Sequence, residues 1–153
     1  SQSAIIVPKI NDAQRYYIFT VDAMGGPKGF SYSIINMSLD GGMGDVETMN
    51  ILLEPFVCEK LTSVKHCNGT DIWVLVHRFN SADIVAYLVT AAGVNPVPVV
   101  SAPGMFIPSS NISNAIGCMK VSPDGSKLAV ANFILGAEVM NFNNLTGVAS
   151  GGG

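Results

Sequence analysis

The chain has 153 residues, enough for one domain with a real core; 48% are hydrophobic and only 12% charged. Eight basic residues against eleven acidic ones leave a net charge of −3, so no basic stripe exists to neutralise phosphates and nucleic acid is excluded as the main partner. No apolar run reaches the roughly 18 residues of a membrane helix, so the chain is not expected to span a membrane. Its 16 glycines and 8 prolines cut it into short pieces that suit an all-β fold.

Ser1 to Pro8 hold neither a basic leader nor a hydrophobic signal core; in a secreted protein the signal would have been removed or would lie outside this stretch. Ala4 to Val7 is a brief β-branched run, and Tyr16 to Asp22, aromatic and β-branched, is a strong strand candidate. After a loop over 23–29, Phe30 to Ser38 reads as a strand, Leu39 to Gly44 turns the chain, and Val46 to Leu53 returns as an outer strand.

The series then restarts. Leu61 to Lys65, Ile72 to His77, Ile84 to Thr90 and Pro96 to Ser101 give four further strands, with an Asn-Gly turn at Asn68-Gly69. A loop rich in proline, serine and asparagine, 102–114, leads to a third copy: Gly117 to Val121, the Ser122-Pro123-Asp124-Gly125 turn, Leu128 to Phe133, and Gly136 to Phe142. In that turn proline presets one φ and glycine supplies a positive one. Val64 and Lys120 stand 56 residues apart, as do Ile72 and Leu128, while Gly93 and Gly147 stand 54 apart. A four-stranded unit recurring near this period predicts β-propeller blades, at about 1–55, 56–110 and 111–153. The third copy is expected to be incomplete, because only Val148-Ala-Ser150 and three glycines follow Gly147. Three blades fall short of the four to eight that close a ring, so the stretch is expected to belong to a larger propeller or to be completed by other copies.

Three stretches in this order, Tyr16-Tyr-Ile-Phe-Thr-Val-Asp22, Leu61-Thr-Ser-Val-Lys-His66 with Asp71-Ile-Trp-Val-Leu-Val-His77, and Val121-Ser-Pro-Asp-Gly-Ser-Lys-Leu128, carry a resemblance over nearly the whole chain. It resembles the WD-repeat-like β-propeller region of bacterial surface proteins secreted by the type IX system. The resemblance implies an exported, non-catalytic propeller at the bacterial cell surface, part of a longer polypeptide. No sorting domain is seen in these residues.

Few residues point to chemistry. His66 and His77 are the only histidines and fall at opposite ends of one predicted hairpin, away from the three or four convergent ligands zinc needs. Cys67 adjoins His66, but neighbours on a strand point to opposite faces, which argues against a nucleophile–base pair. Cys58, Cys67 and Cys118 form neither an even disulfide framework nor a zinc spacing and are expected to be small buried hydrophobes in strands. Asp40-Gly-Gly-Met-Gly-Asp45 lacks the alternating carboxylates of a calcium loop, and no helix follows the glycines of 25–29 to aim at phosphate. Sequons at Asn36, Asn68, Asn111 and Asn144 are read as turn chemistry. Tyr17, Phe19, Tyr32, Trp73 and Tyr87 are expected in the core between blades.

The expectation is therefore an all-β, non-enzymatic, extracellular or cell-surface module making protein or glycan contacts, with no catalytic, metal or cofactor residues. Two alternatives stand beside it: a subunit that self-associates through blade edges, and a fragment of a propeller enzyme, a lyase or hydrolase. The enzyme needs charged residues on several innermost strands, and those strands, read as Ile5-Ile6-Val7, Thr62-Ser63-Val64 and Cys118-Met119-Lys120, show only Lys65 and Lys120 at their ends.

Overall fold

A computed structural model describes residues 2–151. The chain is all-β, and its strands follow in order as antiparallel meanders. The first sheet holds β1 (Ala4–Pro8), β2 (Arg15–Val21), β3 (Phe30–Asn36) and β4 (Asp45–Glu54). The second holds β5 (Val57–Lys65), β6 (Ile72–Arg78), β7 (Ile84–Thr90) and β8 (Gly93–Val94), with β9 (Val99–Ser101) also paired to β7. The third holds β10 (Gly117–Val121), β11 (Lys127–Asn132), β12 (Gly136–Asn143) and β13 (Val148–Ser150). Among the described residues no helix is long and apolar enough to cross a membrane, and the sheets form no closed ring.

Strand pleating gives each sheet two faces, and the middle sheet buries both. One face, with Val74, Val76, Val85, Tyr87 and Val89, packs on Val7, Tyr17, Phe19, Val21 and Phe30 of the first sheet. The other, with Trp73, Leu75, Ile84 and Ala86, packs on Met119, Val121, Leu128, Val130, Met140 and Phe142 of the third. This is why Ile72–Val76 and Ile84–Val89 read as nearly continuous apolar runs, whereas β12 alternates exposed and buried residues along its length. Tyr17, Phe19, Trp73 and Tyr87 are buried between sheets as expected. Phe19 stacks on Phe30 with centroids 5.5 Å apart, a geometry that adds to plain burial.

The 56-residue period is visible in the register. The row Val64–Trp73–Leu88 of the second sheet recurs as Lys120–Ala129–Val139 in the third. At the Ser122–Lys127 turn, Gly125 takes φ +72°, and Asp124 accepts from the Ser122 and Ser126 hydroxyls and from the Ser126 N–H. Those hydroxyls hold the Asp124 carboxyl down at about 2.

Three expectations change. The third copy is complete, because β13 pairs with β12 through Asn141↔Ser150 and Phe142↔Ala149; the four-residue turn before it brings a strand of only three residues into register. The strand expected over 96–101 splits into β8 and β9, both on β7. β5 begins at Val57, four residues before the expected start, and its pairing shifts between Val57 and Leu61. That bulge carries Glu59 and Lys60, and bulges of this kind re-aim side chains.

Candidate functional site

Both inter-sheet cores are apolar along most of their length and polar at the same end. There the β2–β3 connection, the start of β5, the end of β6 and the long β9–β10 connection meet, with the 3-10 turns Ala23–Gly25 and Ile112–Ala115 against β5 and against each other. Between the first two sheets, Arg78 makes a forked pair with Glu54 (Nε–Oε1 2.8 Å, Nη2–Oε2 3.2 Å) and reaches Asp83 at 3.0 Å. The Tyr87 hydroxyl lies 3.1 Å from Glu54 Oε2 and 2.9 Å from the Leu53 carbonyl. Glu59 Oε1 accepts from the Met24 N–H at 2.5 Å, holding Met24 at φ +52°, a left-handed conformation unusual for a side chain of this kind.

Between the second and third sheets lies the more unusual group. Lys60 is fully buried, and the nearby His77, Asn132 and Glu138 are all less than a tenth exposed. The Lys60 ammonium donates to Asn132 Oδ1, and among the described residues no carboxylate lies within ion-pair distance of it. An ammonium has three donors, so a single neutral acceptor leaves it under-satisfied. Burial pushes its pKa down, opposed by Cys58, Cys118 and Glu138. Gly117 admits the lysine: a Cβ there would collide with the Ala131 carbonyl and come within 3.3 Å of Lys60 Nζ.

His77, next to last in β6, faces the same group. Its Nδ1–H donates to the Arg78 carbonyl at 2.7 Å, and burial drives its pKa down to about 4, against the backbone bonds to Arg78 and Met105 that favour the cation. Glu138 takes the Met105 N–H with both carboxylate oxygens, at 3.1 and 2.9 Å. Met105 belongs to the β9–β10 connection, which is also tied down by Ile107 N–H to the Ser81 carbonyl, Ser109 to Asn80, and the Asn114 amide to the Pro108 carbonyl. The connection thus packs over the buried Lys60 group. A buried, incompletely paired amine beside a neutral imidazole can donate or take a proton or hold an anionic oxygen.

Sequence reasoning missed Lys60 because it began the strand at Leu61. The available signal was the Cys58-Glu59-Lys60 interruption between Val57 and Leu61 in an apolar stretch. Its statement that charge is absent from the innermost strands except at Lys65 and Lys120 is corrected accordingly. The cysteines divide: Cys58 is buried, with its thiol pushed up to about 11 by desolvation, while Cys67 and Cys118 are exposed, and all three are free. His66 and Cys67 do not alternate on a strand, because both lie in the β5–β6 turn, and Cys67 Sγ is 3.7 Å from His66 Nδ1. That nitrogen already accepts the Asn68 N–H at 3.0 Å, while Nε2 donates to the Leu145 carbonyl at 3.2 Å, so the imidazole serves the turn. His77 sits far along the next strand, and no cluster of three His, Cys, Asp or Glu residues suited to a metal occurs among the described residues. Asp40 and Asp45 bracket a surface turn, and the sequon residue Asn36 is buried, accepting from Ser38.

No protein-family model matches the chain, and no curated protein matches it. A solved structure from Bacteroides uniformis ATCC 8492, described as a candidate 6-phosphogluconolactonase, is similar with a TM-score of 0.53 and 17% identity. The likeness covers 95% of this chain and 38% of that one, so this chain spans well under half of its neighbour's length. It is a likeness of fold. It nonetheless overturns the expectation of a non-enzymatic binding or scaffold module. The inference ran from an all-β array with little charge to an absence of chemistry, and a comparable array carries an enzyme's description; function resides in sites rather than in the fold.

Proposed function

We propose that the chain forms three consecutive blades of a larger β-propeller enzyme that hydrolyses a cyclic ester of a sugar acid. The observation that carries this reading is the fold likeness to the Bacteroides protein over 95% of this chain. Three successive four-stranded meanders, each packed face to face on the next, are what blades of such a ring require. The short parallel bridge between Glu59 and Ile116 further supports it, since neighbouring innermost strands run side by side in one direction.

In lactone hydrolysis water adds to the acyl carbon, negative charge develops on the carbonyl oxygen, and a positioned cation in a dry site stabilises it. Among the described residues Lys60 is the buried cation that no carboxylate neutralises, which makes it the residue suited to that task when the β9–β10 connection opens. The test is hydrolysis of 6-phosphogluconolactone by the purified chain and by a Lys60→Met variant whose fold is verified by circular dichroism. Acceleration over the spontaneous rate that the variant loses is the expected result. No acceleration, or acceleration that Lys60→Met leaves intact, overturns the assignment. Export to the bacterial surface is a separate proposal that rests on the sequence resemblance alone, and fractionation of cells producing the native protein decides it.

A further inference from the structure

Glu59 is a carboxylate on which all three sheets converge. It belongs to β5 of the second sheet, and its Oε1 accepts the Met24 N–H of the first sheet's β2–β3 connection at 2.5 Å. Its backbone forms the parallel bridge to Ile116, one residue before β10 of the third sheet. The bulge between Val57 and Leu61 sets Glu59 and Lys60 side by side, with Glu59 reaching toward the first sheet and Lys60 toward the third. The Met24 donor is held in place. Asp22 caps its turn through the Ala23 N–H at 2.9 Å, and a Cβ on Gly25 would approach the Phe79 ring to 2.1 Å.

The chain has four glutamates. Glu47 and Glu54 each engage an arginine with both oxygens, and Glu138 engages the Met105 N–H with both. Glu59 is only 9% exposed, yet among the described residues Oε1 alone is engaged and no cation pairs with it. Oε2 is not sealed from solvent, because Asn144 Oδ1 is the sealed side-chain atom without a partner among those residues. A nearly buried carboxylate with one oxygen clamped and the other idle calls for a further hydrogen-bond donor.

We infer that this donor is the attacking water, and that Glu59 is the general base of the lactone hydrolysis. The inference rests on the lactonase reading and deepens it, naming the residue that activates water, a task Lys60 as a cation cannot perform. The water oxygen bonds to the acyl carbon while its proton passes to Oε2. The resulting oxyanion, facing Lys60, re-forms the carbonyl as the ring C–O bond breaks. The leaving alkoxide takes the proton back from Glu59, so the open hydroxy acid departs and the carboxylate is restored. No further reactant is needed. A base must be held in one orientation to act well. The clamp on Oε1 does this from Met24, whose left-handed φ of +52° is the kind of strain that collects at working sites. Glu54 and Glu138 are unsuited, since both oxygens of each are already engaged.

The experiment measures kcat and KM for 6-phosphogluconolactone with the natural chain, Glu59→Gln and Glu59→Asp, thermal unfolding verifying the fold of each. Glutamine keeps an acceptor for the Met24 N–H and removes the base, so a purely structural role would leave the kinetics in place. Glu59→Gln is expected to lower kcat about 10²–10⁴-fold and to change KM by less than about threefold. Glu59→Asp returns a carboxylate in a shifted position and is expected to recover about tenfold of that loss. If Glu59→Gln fails to fold, Glu59→Asn against Glu59→Asp makes the same comparison at the shorter length. A glutamine variant as fast as the natural chain overturns the proposal, as does an aspartate variant no faster than the amide. Hydrolysis lost with Lys60→Met but kept with Glu59→Gln removes Glu59 alone, whereas a natural chain that hydrolyses nothing overturns the enzymatic reading as well.

Discussion

Lys60 crosses from the first strand of the second sheet to donate to Asn132 in the third, and both side chains are buried. Removing only one partner of a buried, charge-assisted pair strands the other, which costs about 3–5 kcal/mol, whereas replacing both with apolar groups of similar shape is near neutral or stabilising. Asn132→Leu is therefore expected to destabilise the chain strongly, and Lys60→Met with Asn132→Leu to recover most of the loss. Urea unfolding of the natural chain, the two single variants and the double variant measures the coupling; additive losses would remove the pair from the account.

His77 makes stability depend on pH in a defined window. Its folded pKa of about 4 lies below the ordinary 6.5, so the unfolded chain binds the extra proton between those values. The stability contributed by the neutral ring is full above pH 6.5 and is lost as pH falls toward 4, by on the order of 3 kcal/mol. The groups facing it set the same direction: Lys60 opposes a second cation, and Asp83 only partly offsets this. Denaturant unfolding at pH 7.5, 5.5 and 4.5 is expected to show a decline that His77→Gln flattens. Equal slopes in both proteins would place the acid sensitivity elsewhere.

Glu138 anchors the β9–β10 connection through Met105. Glu138→Ala leaves that half-buried N–H without its carboxylate acceptor, a loss of about 1 kcal/mol. Amide exchange across Met105 to Ala115 is expected to accelerate at least tenfold, with β6 and β7 unaffected. Uniform acceleration through all three sheets would mean that Glu138 supports the whole fold and not the connection.

Gly147 passes over the face of Trp73, at φ +75°, where an added Cβ would approach the ring to 2.7 Å. The Trp73 indole N–H donates to the Asn144 carbonyl of the same turn at 2.9 Å. Gly147→Ala is expected to cost about 2 kcal/mol from backbone strain and overpacking and to shift the emission of the single tryptophan toward that of an exposed indole. An unshifted spectrum would mean that the turn moves as a unit without releasing the ring.

The same residues show where reading the chain in one dimension succeeded. Alternation in Tyr17–Phe19–Val21 and in β12, the Pro-Asp-Gly turn, and the 56-residue interval are local or additive properties, and each appears in the structure in its expected place. The buried Lys60 group was not legible. Lys60 lies 72 positions from Asn132, and its neighbours come from β5, β6, β11, β12 and the β9–β10 connection. Composition and spacing assign a lysine to solvent by default, and nothing in the chain order of these residues says otherwise.

By itself the sequence determined strand placement, repeat period and turn chemistry, because backbone preference and the two-residue pleat act over short distances. Only the tertiary structure decided which faces are buried twice and which charges lose their water. Those outcomes depend on what stacks against each sheet, and stacking joins residues that the chain keeps far apart.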